Sequence, residues 1–187
     1  NWDVWMLQGE NVQLKAGKNE ISYRFEDGDA GEVILDSAAV AKSSNPIHGL
    51  SATYFNNRDL TEPRQTRVDP ELSFDWGNGS PDPLIEPDTF SARWTGFIEP
   101  LHSGTYTFHS KSDNGRRLWV NDKLIIDKWL DDYDQTYSGT IDLEAGKKYP
   151  IKYEYYEENG GANTRLQWSS DKQPLETIPS FRFTPAK

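Results

Sequence analysis

FSARWTGFIEPLHSGTYTFHSKSDNGRRLWVNDKLIIDKW, residues 90–129, falls into four strand-like runs. Ala92–Ile98, Thr105–Lys111, Arg117–Val120 and Lys123–Asp127 are rich in aromatic and β-branched residues, and Gly, Pro, Asn or Asp separates them. In Thr105–Lys111, Tyr106 and Phe108 share one face, while Thr105, Thr107 and His109 share the other. That is the period of a half-buried strand. Asn121-Asp122 predicts a two-residue hairpin turn, because both side chains tolerate positive φ. Ser112-Asp113-Asn114-Gly115 predicts a second tight connection. Two readings of it compete. In one, Asp113 bonds neighbouring backbone amides and Gly115 takes positive φ; in the other, the short oxygen-bearing side chains hold a ligand.

The same punctuation extends outward. Gly49–Phe55, Leu72–Trp76, Thr140–Leu143, Lys148–Glu157 and Thr164–Ser169 read as strands, and Pro174–Phe183 as a final extended arm. Asn56–Pro70 reads as a loop with short extended parts, and Gly77–Asp88 and Leu130–Gly139 as loops; Pro81, Pro83 and Pro87 forbid a central strand in Gly77–Asp88. Helical periodicity is nowhere sustained. The fold class is all-β: an antiparallel β-sandwich or barrel of two packed sheets, with an extra N-terminal β segment. Trp94, Tyr106, Phe108, Trp119, Tyr153, Tyr155 and Trp168 sit at strand spacing and are expected in the core.

Residues 1–43 read as a unit of their own, with strands at Asn11–Leu14, Glu20–Phe25 and Glu32–Leu35. VQLKAGKNEISY resembles the later IDLEAGKKYPIKY, either as two similar hairpins or as the end of a second sandwich. So short a piece cannot bury a core alone. Ser43-Ser44-Asn45-Pro46 reads as the boundary to a main domain over 44–187. The chain starts within a strand pattern and without Met, as expected of a fragment of a larger protein.

WTGFIEP, SGTYTF, SDNGRRLWVNDKLIIDKW and LEAGKKYPIKYEYYEENGGANTRLQW together resemble the protective-antigen-type carbohydrate-binding domain. This β-sandwich is named for the anthrax toxin component and is found in yeast adhesins and bacterial carbohydrate-active proteins. The resemblance begins at about Gly49 and runs to the C-terminus. Residues 1–43 resemble the last strands of a jelly-roll carbohydrate-binding module. In the adhesin branch, two adjacent aspartates at the turn occupied here by Asp113-Asn114 hold a calcium ion, and the ion holds sugar hydroxyls. Calcium accepts about 6–8 oxygen ligands, which loop carboxylates, carbonyls and sugar hydroxyls supply. Asn114 in place of a second acid keeps a ligating oxygen but loses a charge. The family's facing loop corresponds to Glu157–Asn163, in which Glu158 and Asn159 are expected to touch sugar and Asn163 to ligate the metal. Trp129 is the candidate stacking ring for a sugar's apolar face. Asp131-Asp132 and Asp134 add oxygen donors, although such a run is more often a solvated loop.

Charge and composition exclude much else. Thirty acidic against twenty basic residues leave a net charge of −10, which repels nucleic-acid phosphates and suits neutral sugars and calcium. With no cysteine, disulfides, thiolate metal sites and a cysteine nucleophile are ruled out. No apolar run reaches membrane-span length. His48, His102 and His109 form no metal-ligand motif, Asp27–Glu32 only partly matches a calcium loop, and Asn78-Gly79-Ser80 fits a glycosylation acceptor. No nucleophile elbow, phosphate loop or cofactor fingerprint is present. The expected function is a non-catalytic module of a larger extracellular or cell-surface protein, binding polysaccharide or glycan with calcium assistance and packing beside neighbouring domains. The alternatives are a structural or protein–protein module, or an accessory fragment of a glycoside hydrolase.

Overall fold

The computed structural model describes residues 47–186. Expectations for residues 1–46, including the three N-terminal strands, the jelly-roll remnant, the boundary at Ser43–Pro46 and the Asp27–Glu32 run, lie outside the described residues.

The described strands run in the order β1 (Leu50–Phe55), β2 (Pro63–Asp69), β3 (Ser73–Gly77), β4 (Ser91–Ile98), β5 (Gly104–Asp113) and β6 (Arg116–Val120). There follow β7 (Lys123–Lys128), β8 (Gln135–Leu143), β9 (Tyr149–Tyr156), β10 (Ala162–Ser170), β11 (Gln173–Thr177) and β12 (Phe183–Pro185). They form two packed antiparallel sheets and no closed barrel. The larger has the order β2-β1-β4-β9-β6-β7, with β12 continuing beside β4; the smaller has the order β11-β10-β5-β8, with β3 beside β10. The alternation read in β5 holds: Tyr106 and Phe108 are fully buried and Thr105 faces solvent. Asn121 and Asp122 both adopt positive φ, at 52° and 59°, and close the β6–β7 hairpin.

The core lies between the sheets. Trp94 and Phe74 stack at 5.8 Å across it, and Tyr54 meets Trp94 edge-on at 5.8 Å. Aromatic rings of this size bury much area and prefer such offset or edge-to-face contacts. Buried polar groups stand among them, Asp69 being the charged one at this cluster. Asp69 accepts the Tyr54 hydroxyl at 2.5 Å, Trp94 Nε1 at 2.7 Å and Arg67 Nε at 2.6 Å.

Four expectations are corrected. Pro63–Asp69, read as loop, is the edge strand β2; its alternation is hidden because an edge position tolerates Arg64, Gln65 and Arg67 as well as apolar residues. β8 starts at Gln135, inside the expected loop, because the edge of β5 pairs with it as far as Ser112↔Gln135. The C-terminal arm divides into β11, a 3-10 turn at Ser180–Arg182 and β12. Trp119 is only half-buried; it lies on the outer face of the larger sheet with Lys152 Nζ 3.7 Å from its ring centroid.

Candidate functional site

β5 ends at Asp113 and β6 begins at Arg116, so Asn114-Gly115 is the connection between the two sheets at one end of the sandwich. The Asp113–Asn114 peptide bond is cis. Gly115 does not take the expected positive φ. It is needed for space instead: a Cβ there would lie 2.0 Å from the Tyr156 ring. β9 closes over the turn. Asn114 N donates to Tyr156 O at 3.2 Å, and Tyr156 N donates to Gly115 O at 3.0 Å.

The loop after β9 then meets the turn. Asn114 is buried, and its Oδ1 accepts the Glu158 N–H at 2.8 Å. Asn163 pairs in register with Asp113 across β10 and β5, so these two stand side by side. Its amide donates to Asp134 Oδ1 at 2.9 Å, and Lys111 Nζ lies 3.4 Å from the same carboxylate. Asp113, Asn114, Asn163 and Glu158 are thus brought together at one edge. Asn159 is exposed beyond them. Trp129 stands one layer away. It packs on Tyr156 with centroids 4.6 Å apart, and the Arg117 guanidinium covers its ring at 4.0 Å, so it is not a bare platform.

The acidic run is more than a solvated loop. Asp131 accepts the Tyr156 hydroxyl at 2.5 Å and Arg58 at 3.0 Å, and Asp132 accepts Arg116. These contacts pin the run against the turn because Tyr156 and Arg116 present donors there. Arg58 Nη1 also reaches Glu158 Oε2 at 2.6 Å, tying the two flanking loops to each other.

Four contributors escape the sequence reading: Arg116, Arg58, Tyr155 and Glu157. Arg116 is fully buried and donates to the carbonyl oxygens of Asn114 (2.9 Å), Ser112 (3.4 Å) and Gln135. It fastens the turn to the loop before β8. Strand alternation with Leu118 and Val120 was the signal for its inward direction. The Tyr155 hydroxyl donates to the Asp113 carbonyl and lies 3.1 Å from Glu157 Oε2. Glu157 has no exposed surface. Arg58 and Glu157 carry no local signal, since each is one charged residue in a polar loop.

Charge at this edge is incompletely balanced. Asp113 Oδ1, Asp132 Oδ2 and Glu157 Oε1 are buried and accept no hydrogen bond. Burial, and then the repulsion of Asp113 and Asp88, pushes the Glu157 carboxyl up to about 8, against the opposing Tyr155 hydrogen bond. Burial likewise raises Asp113, with Asp134 and Asp132 adding repulsion and Arg116 opposing it. Asp134 is held low by the Asn163 hydrogen bond. Hard, unpartnered oxygens of this kind suit a calcium ion. Among the described residues, no group of three or more His, Cys, Asp and Glu is arranged as a ready-made cage. A cation here would therefore lean on amide and backbone oxygens as well.

The class defined by this architecture is the two-sheet β-sandwich with a polar, loop-built candidate site at one end. Within it, the PA14 domain model matches residues 46–181, and the chain belongs to the PA14 domain family. It is 49% identical over 138 residues to the anti-sigma-I factor RsgI3 of Acetivibrio thermocellus, covering 74% of this chain and 21% of that protein. It is 29% identical over 154 residues to the protective antigen of Bacillus anthracis, covering 80% of this chain and 19% of that protein. The chain thus spans about a fifth of the length of these relatives. A solved PA14 sugar-binding domain from an RTX adhesin superposes with a TM-score of 0.62 at 17% identity, covering 75% of this chain and 99% of that one; at that identity the likeness is one of fold.

Proposed function

We propose that this domain is a non-catalytic glycan-binding module of a larger extracellular or cell-surface protein, with its site at the Asp113 edge. One observation carries the reading: the buried Asp113 Oδ1 is left without a partner between two other loops that also bring oxygen donors. A buried charge so placed is costly unless something completes it. A calcium ion held by Asp113 and Asn163, with Glu157 beside it, is the completing group. Asn114 would contribute less through its side chain, whose oxygen already serves Glu158 N–H. The bound ion would present open positions to vicinal sugar hydroxyls. Glu158 and Asn159 would set which sugar fits, and Trp129 would form the rim. The sugar-binding domain of the RTX adhesin, which shares this fold, supports the ligand class. The similarity to an anti-sigma factor supports a parent protein in which glycan binding serves a regulatory role.

The test is binding to a panel of plant and microbial polysaccharides, with calcium and with chelator, beside Asp113→Ala. Loss in both chelator and variant is the expected result. Loss in the variant alone would mean direct hydrogen bonding without metal. A folded protein that binds no glycan in the panel would overturn the reading in favour of a structural or protein–protein module.

A further inference from the structure

We propose a second glycan site, separate from the Asp113 edge: a trough across the outer face of the larger sheet that takes a linear stretch of neutral polysaccharide. Five residues on five neighbouring strands stand in one row. Register pairs Val68 with Ser51, Ser51 with Thr95, Thr95 with Lys152, and Lys152 with Trp119. Four interstrand steps make a row about 19 Å long. Two concavities lie along it and meet at Thr95 and Ala186. One, of about 320 Å³, takes in Phe97, Trp119, Pro150 and Lys152; the other, of about 400 Å³, takes in Ser51, Thr53, Thr66 and Val68.

The lining matches a sugar chain better than a peptide. Phe97 is 40% exposed, two strands from the half-exposed Trp119 with Pro150 between them; Phe97 and Pro150 give the floor its apolar surface, while Lys152 Nζ, 3.7 Å from the Trp119 centroid, partly covers that ring. A pyranose lays its C–H face on such surfaces. Thr53, Thr66 and Thr95 offer hydroxyls that both donate and accept, as a sugar's hydroxyls require, while the Ser51 hydroxyl already donates to the Ala186 carbonyl at 2.8 Å and is left to accept. A peptide would find nothing equivalent, because the strand amides beneath are spent on the sheet and only an edge offers main-chain pairing. The polymer is neutral because the row is. Its charged member, Lys152, shares its concavity with Asp122; Glu154, 3.9 Å from Lys152, is already engaged by Arg93 at 2.8 Å and Arg117 at 2.7 Å. Arg67 turns its guanidinium away to Asp69.

The measurement is affinity electrophoresis of the full chain through gels containing xylan, mannan, hydroxyethylcellulose or polygalacturonate, all with chelator present. Retardation by at least one neutral polymer is expected, with the double variant F97A/W119A weakening it at least about tenfold. Thr95→Arg, which fills the floor without removing a ring, should weaken it likewise. Amide shifts of the unmutated protein on adding the matching hexasaccharide should cluster at 95–97, 119–122 and 150–152. No retardation by any neutral polymer would overturn the proposal, as would retardation by polygalacturonate alone. Retardation abolished by Asp113→Ala but untouched by F97A/W119A would also overturn it, and would leave the reading of the Asp113 edge intact.

Discussion

Buried carboxylate oxygens have opposite surroundings in two regions of this domain. Asp69 is 4% exposed, and both its oxygens are engaged, by a hydroxyl, an indole and a guanidinium. Arg67 completes the circle with bonds to the Tyr54 hydroxyl at 2.9 Å and the Pro81 carbonyl at 3.0 Å. At the Asp113 edge, three carboxylates each leave a buried oxygen unmatched, although Arg116, Tyr155 and Arg58 stand close by. A closed network fixes a fold, whereas an open one keeps a deficit that a ligand can fill. Burial alone therefore does not distinguish a structural acid from a binding one; the count of partners does.

The sharpest break in this comparison is Asp69→Ala. It strands the Tyr54 hydroxyl, the Trp94 N–H and a partly buried guanidinium, and should cost about 3 kcal/mol. Urea unfolding would show a lower midpoint at unchanged slope, while glycan binding by the folded fraction stays as it was. A loss below about 1 kcal/mol would mean that the closed network is replaceable, and the contrast would fail.

Arg116→Met comes next, because this residue belongs to both kinds of region. It is as buried as Asp69, yet it braces the open edge through three carbonyls and Asp132. Removing it should cost about 2 kcal/mol and also weaken glycan binding, as the turn and the loop before β8 lose their common fastening. Unfolding and polysaccharide binding measured on one preparation check both. Reduced stability with intact binding would show the brace to be structural only.

How much of this was legible in the sequence follows from which interactions are local. Period-two alternation marks β4, β5, β10 and the first half of β9 because each buries one face there, whereas Tyr153–Tyr156 are buried on both. β2 and the start of β8 are edge strands, and their polar residues carry no such signature. The turn at Asp113 was visible from its residue types, but the role of Gly115 was not. Its partner Tyr156 arrives from another strand, and only the close approach of that ring explains the glycine. Trp119 was placed in the core because strand spacing alone does not tell which face is covered. Arg58 stayed silent because its partners, Asp131 and Glu158, come from separate loops, and Glu157 because a lone acid after a strand does not show that it is buried. Arg116 was within reach, since Leu118 and Val120 define the inward face of β6 and Arg116 shares it.

The open edge should also show itself in the pH dependence. Glu157 titrates near 8 in the folded protein against an ordinary 4.5, so the folded state holds that proton more tightly than the unfolded chain. Stability in chelator should therefore fall as pH rises from about 5 to about 8. Glu157→Gln removes the titration and should flatten that decline in Tm. Equal slopes for the variant and the unmutated protein would place the pH dependence elsewhere.

The smallest expected change in stability is the most telling for function. Asp113→Asn keeps the shape of the side chain and removes a charge that has no full partner. In chelator, Tm should shift by the equivalent of less than about 1 kcal/mol, in either direction. Calcium should separate the two proteins. A ligand that binds only the folded state stabilises it by about 2.7 kcal/mol at a hundred times its Kd, so calcium should raise the Tm of the unmutated chain and leave the variant almost unmoved. The same substitution at Asp69 would be costly with or without calcium, because every partner there belongs to the protein. If Asp113→Asn proved as destabilising in chelator as Asp69→Ala, the Asp113 edge would be a closed network after all, and its unmatched oxygens would have partners inside the fold.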